Sequence, residues 1–242
     1  MALPMSPDTL PLALLTVSAE ITAGGLWVLL FAQARNNAVA SFVKFNAALV
    51  LVMAAATFSL AAGLNVGEDV DGYPLDNGWM PETRWLLTAV FAGSALYAYA
   101  TLRDHRPVAL GLGAITSVLG LAVLASLAEI FAAPTWSYAL TLASLIIGAL
   151  VIGAVSNAMV LGHWYLVTPR LSEAPLREMT GGLVVFMVLQ AALLAAAVAL
   201  PRDTVDTSIN GDILGNMFFW LRISLGLAFP AALAWMAYDS SG

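Results

Sequence analysis

The sequence predicts an all-α integral membrane protein, a single domain over residues 1–242 in which seven transmembrane helices form one bundle. Three observations lead there. Only 10% of the residues are charged and 61% are hydrophobic, whereas soluble domains carry about 25% charged residues; too little polar surface exists to clothe a globule in water. Apolar runs recur at a length of about 20 residues or more, which spans a bilayer core. In hydrocarbon, backbone polar groups must be satisfied within a segment or in a closed barrel, and these runs are too long and too continuous for barrel strands.

The first run, 10–34, follows an amino-terminal stretch without a basic residue, so it reads as a retained helix and not as a signal peptide. Arg35-Asn36-Asn37 ends it, and the second run covers 38–64. An acidic loop leads to the third, 84–102, and a turn from Arg103 to Pro107 leads to the fourth, 107–132. Ala133-Pro134-Thr135 separates the fourth from the fifth, 136–167, and the stretch from Pro169 to Pro175 precedes the sixth, 179–200. After a loop from Pro201 to Gly211 comes the seventh, 215–238, where Pro230 predicts a kink.

Loop charge predicts sidedness. The connections after helices one, three and five, with the start of helix two, carry Arg35, Lys44, Arg103, Arg106, Arg170 and Arg177; the alternate loops hold only Arg84 and Arg202. Basic residues concentrate on the cytoplasmic side, so the amino terminus is expected outside and the carboxyl terminus in the cytoplasm, in a bacterial cytoplasmic (inner) membrane. The outer side then holds nine acids against two bases.

Ionisable groups inside the apolar runs are expensive and are functional candidates by default. Glu20 lies ten residues into helix one and Arg222 seven into helix seven, a depth difference of about 4–5 Å at 1.5 Å per residue, which an arginine side chain spans. Three readings follow: an ion pair that staples the bundle, a binding or proton-handling pocket built on the same groups, or an Arg222 that faces lipid and snorkels outward. Glu129, near the outer end of helix four, is a second partner for the arginine, and Gln190 in mid-helix six joins the buried polar set. Asn46, Asn157 and Asn216 read as interhelical glue. Ala19-Glu20-Ile21 recurs as Ala128-Glu129-Ile130, but the different depths of the two glutamates argue against an inverted repeat. Small residues predict close helix packing at Ala23-Gly24-Gly25, Gly111, Gly113, Gly120, Gly148, Gly153 and Gly181-Gly182.

His163 ends helix five beside Trp164 and Tyr165. It reads chiefly as part of the interfacial collar. With Met159 four residues before and Leu166 three after, it is also the candidate for contact with a quinone, to which an imidazole can donate a hydrogen bond.

Several chemistries are excluded. With no cysteine and two histidines in the chain, paired axial haem ligands, iron–sulfur clusters and covalent haem attachment are ruled out, and no metal site is expected. The sole lysine, Lys44, begins helix two, so a retinal Schiff base in the last helix is not available. No phosphate loop, zinc motif or nucleophile elbow occurs, and no basic patch supports nucleic-acid binding. With no catalytic constellation visible, an enzyme ranks last.

The acidic loop over 67–84 carries Glu68, Asp69, Asp71, Asp76 and Glu82 but misses calcium-loop spacing. With Asp203, Asp206 and Asp212 it reads first as a solvated acidic rim, with a weak shared cation site or docking for a basic periplasmic protein as alternatives. Trp79 and Trp85 are expected to anchor it at the interface. The leading functional expectation is a subunit of a larger membrane complex, in energy metabolism, that contacts quinone or another lipid-soluble ligand, pigment, lipids and neighbouring membrane subunits without a redox centre of its own. The alternative is a compact transporter or channel for a small solute, ion or proton that uses Glu20 and Arg222.

Overall fold

The computed structural model describes residues 9–35, 38–70, 73–132, 137–167, 174–199, 220, 223–224 and 228–240. Among them are seven α-helices: α1 (Thr9–Arg35), α2 (Ala40–Gly63), α3 (Met80–Leu102), α4 (Arg106–Ala132), α5 (Tyr138–Val167), α6 (Ala174–Ala199) and α7 (Phe229–Ser240). The first six are long and apolar enough to cross a membrane, so the chain is an integral membrane protein of largely α-helical build. Arg222 and Asn216, with the acidic residues of the 201–212 loop, lie outside the described residues.

Two helices start earlier than their apolar runs suggest. α3 begins at Met80 and α6 at Ala174, because a helix need not stop where hydrocarbon does. Pro81 and Pro175 fall in these first turns, where the missing N–H has no intrahelical partner to lose. Pro11 and Pro107 take the same position in α1 and α4. Pro230 is the second residue of α7, with wider π-type winding at Ser224 and Ala228 before it.

Helices α1 to α4 alternate in direction, and polar contacts at both faces fix this. At one face Arg106, opening α4, donates to Gln33 O and Ala34 O at the end of α1, both at 3.1 Å. There Arg35 pairs with Glu178 of α6 at 2.8 Å, and Lys44 of α2 pairs with Asp104 in the α3–α4 turn at 2.8 Å. We call this the basic face. At the opposite, acidic face, Arg84 of α3 donates to Ala61 O (3.0 Å) and Leu64 O, capping α2. Each arginine meets carbonyls that a helix end leaves unpaired and adds a cation where the dipole is negative.

The α3–α4 turn needs only residues 103–105. Asp104 adopts φ 60°, and His105 N donates to Ala100 O while Asp104 N donates to Thr101 O, the paired bonds of a Schellman ending. The α2–α3 connection is longer. It forms a two-stranded hairpin, β1 (Asp69–Val70) with β2 (Tyr73–Pro74), and a 3₁₀ turn over Asn77–Trp79. Leu75 is buried, and Asp76 N donates to Ile130 O of α4, so the acidic loop is pinned onto the bundle.

α1 is the central helix, packed on α2, α4 and α5; α3 sits on α2 and α4, α6 on α5, and α7 on α6. Buried residues form one cluster near the basic face, around Leu29, Phe42 and Tyr97, and another near the acidic face, around Leu15, Leu124 and Leu127. α4 turns Val108, Ile115 and Val118 outward, the surface that lipid covers.

Candidate functional site

The site is built on the place where α1 and α5 cross. A Cβ on Gly24 would fall on the backbone of Ala149, and one on Gly153 would fall on the carbonyl of Gly24. Only glycine lets the two backbones meet so closely. Asn157, one turn further along α5, donates from Nδ2 to Gly25 O at 3.2 Å and to Gly153 O at 2.9 Å. The expected glue role thus corresponds to a bond between helices. Asn46 differs, since its Nδ2 donates to Phe42 O of its own helix. Not every glycine serves packing: Gly113 abuts Leu30 and Tyr97, but Gly111 has nothing within 4 Å.

One turn from the crossing toward the acidic face sits Glu20. Its Oε1 occupies the place beside Gly148, only 2.6 Å from where a Cβ would be. Beyond this point the helices diverge and leave a cavity of about 800 Å³. Three helices supply most of its lining with the same register: Ala13, Thr16, Val17 and Glu20 of α1; Thr141, Ser144, Leu145 and Gly148 of α5; Gln190, Leu193, Leu194 and Ala197 of α6. Leu140 of α5 and Phe131 of α4 complete it. Offsets of three, four and seven residues put such side chains on one helical face.

The cavity carries few polar groups, and one of them is an unsatisfied acceptor. Thr16 and Thr141 spend their hydroxyl protons on Leu12 O and Ser137 O of their own helices. Gln190 keeps its side-chain carbonyl oxygen buried, and that oxygen accepts no hydrogen bond among the described residues. A buried unsatisfied acceptor is uncommon and asks for a donor. Glu20 adds a carboxylate at the floor, Ser144 a hydroxyl and Gln190 its amide nitrogen, and the rest of the wall is apolar.

The structure therefore brings together Glu20 and Gln190. It does not bring Glu129 to them: that residue lines a separate cavity between α3 and α4. Any pairing with Arg222 concerns a residue outside the described set. His163 is exposed and lines none of the cavities described here. Its neighbour Trp164 turns inward, donating from Nε1 to Ser41 Oγ at 3.1 Å and packing edge-on against Phe42, while Met159 is 71% exposed on the outer side of α5.

Some polar contacts had no signal in the sequence reading. Tyr97, fully buried, donates to Gln33 Oε1 at 2.9 Å, Thr83 donates to Ser126 Oγ at 3.0 Å, and Thr22 and Thr57 share a hydrogen bond of 3.2 Å. Among the described residues no three His, Cys, Asp or Glu side chains gather as a metal site would require. Comparison of the chain with protein-family models, with curated proteins and with solved structures gave no match.

Proposed function

We propose that this chain is a compact carrier, seven-spanning with its amino terminus outside a bacterial cytoplasmic membrane, for a small and largely apolar solute bearing an amine or hydroxyl group. The observation that carries the reading is the cavity of about 800 Å³ at the acidic face, with the Glu20 carboxylate at its floor and the unsatisfied carbonyl of Gln190 in its wall. Ligand sites are concave, mostly apolar and supplied with a few placed polar groups. The unsatisfied Gln190 carbonyl oxygen, in a lining that also holds a carboxylate, favours a ligand that donates. A quinone presents two carbonyl acceptors and would leave the Gln190 oxygen without a donor.

By loop charge the acidic face is the outer one, so solute enters from outside and rests one turn above the α1–α5 crossing. The glycine contact and the Asn157 bond seal the path below. Passage requires α1 and α5 to shift against each other, and a seam of small residues allows that with little side-chain rearrangement.

The experiment is uptake of 2-phenylethylamine and 2-phenylethanol by liposomes containing the purified full-length chain. Saturable uptake is expected. It should fall at least tenfold in Gln190→Leu and in Glu20→Gln, with both variants still monodisperse. Uptake indifferent to both substitutions, together with stoichiometric membrane partners in mild detergent, would return the chain to the reading as a subunit of a larger complex.

A further inference from the structure

The acidic face holds a second cavity, of about 460 Å³, between the start of α3 and the end of α4. Trp79, Trp85 and Tyr138 give it three aromatic walls, and Glu82 and Glu129 give it two carboxylates. An interfacial aromatic belt would account for the rings alone. It does not account for their convergence on a cavity, nor for the acids. Several other described carboxylates are engaged: Glu178 pairs with Arg35, Asp104 with Lys44, and Asp76 accepts from Gly78 N. Neither Glu82 nor Glu129 has an ion pair or a hydrogen bond to its carboxylate among the described residues. Glu129 is also half-buried on a membrane-crossing helix, where an uncompensated charge is costly.

We infer that this cavity is a cage for a trimethylammonium group, formed by the rings of Trp79, Trp85 and Tyr138 with the carboxylates of Glu82 and Glu129. The faces of tryptophan and tyrosine attract a cation, most strongly one that sheds water easily. The floor favours methyl groups over N–H donors: Leu86, Ala122 and Ala125 are apolar. The one hydroxyl there, on Ser126, already donates to Val123 O and accepts from Thr83. A primary ammonium would leave a donor unmatched against that floor. Trp85 is 77% exposed, so the cage opens outward at headgroup depth, and its occupant is either the headgroup of a choline lipid or a free choline-like solute. The inference is independent of the Glu20 cavity.

The test is titration of choline into the full-length protein in maltoside micelles, followed by tryptophan fluorescence. 3,3-Dimethylbutan-1-ol serves as the uncharged isostere and ethanolamine as the primary amine. Choline should bind at least tenfold more tightly than either. Glu129→Gln should weaken it about tenfold, and Trp85→Leu, on an exposed ring that the fold does not need, by about 2–30-fold. Nanodiscs identify the source: a choline response lost in phosphatidylcholine but kept in phosphatidylglycerol marks a lipid headgroup, and one kept in both marks a solute. Equal binding of choline and its isostere, or unchanged affinity in Glu82→Gln/Glu129→Gln, overturns the inference. So does oligolysine binding more tightly than choline with the same dependence on these residues, which would assign the cage to a basic polypeptide.

Discussion

Gly153→Ala is the most direct probe of the contact on which the Glu20 cavity rests. The new methyl would fall on the Gly24 carbonyl and come within 2.8 Å of Gly25 N. Backbone atoms cannot rotate aside, so α5 must back away from α1 until that 2.8 Å reaches at least the 3.4 Å of an ordinary contact. The Asn157–Gly25 hydrogen bond, already 3.2 Å, cannot stretch that far and breaks. Overpacking costs about 1–3 kcal/mol, and an interhelical hydrogen bond in a membrane protein is worth about 0.6–1.7 kcal/mol. The sum, about 2–4 kcal/mol, lowers the unfolding midpoint by about 5–15 °C for a chain of this length. Thermal unfolding in detergent measures it, with Gly111→Ala as control, because nothing lies within 4 Å of that position. The control should be neutral or gain up to about 1 kcal/mol from helix propensity. Equal midpoints for the two variants would refute the close crossing.

Three further outcomes are expected. Tyr97→Phe removes the donor to the buried Gln33 Oε1 and should cost about 0.5–2 kcal/mol in the same unfolding assay, with Gln33→Leu/Tyr97→Phe recovering part of the loss. Arg84→Leu uncaps α2 at Ala61 O and Leu64 O; hydrogen exchange should quicken over 58–64 and stay unchanged at the basic face, and a uniform change along the chain would contradict the capping role. The Arg35–Glu178 pair is more than a third exposed on both sides, so a double-mutant cycle should give less than about 1 kcal/mol and shrink with added salt.

Glu20 and Gln190 show where sequence reading stopped. Each stands out alone, as a polar group in an apolar run. Nothing in the sequence reading says that they face one cavity while Glu129 faces another, although Glu129 repeats the residues around Glu20. The offsets 13, 16, 17, 20; 141, 144, 145, 148; and 190, 193, 194, 197 were legible in principle as three single-faced sets. They carry no label for which helices meet. The same holds for Trp79 and Trp85, readable as anchors but not as walls shared with Glu82, Glu129 and Tyr138. Helix starts at Met80 and Ala174 fall outside the apolar runs because proline and charged residues, Pro81, Glu82 and Arg84 in one and Pro175, Arg177 and Glu178 in the other, interrupt the apolar pattern there.

The sequence by itself determined the solvent, the secondary structure and the approximate spans, because hydrocarbon forces each long apolar run to satisfy its backbone as a helix. It also determined the contrast between a basic and an acidic face, since charge is written residue by residue. Helix partnership was decided only in the tertiary structure. Lipid tails are as apolar as leucine, so a face turned to a neighbouring helix and a face turned to the membrane read alike, and only the small residues and the placed polar groups, once packed, distinguish them.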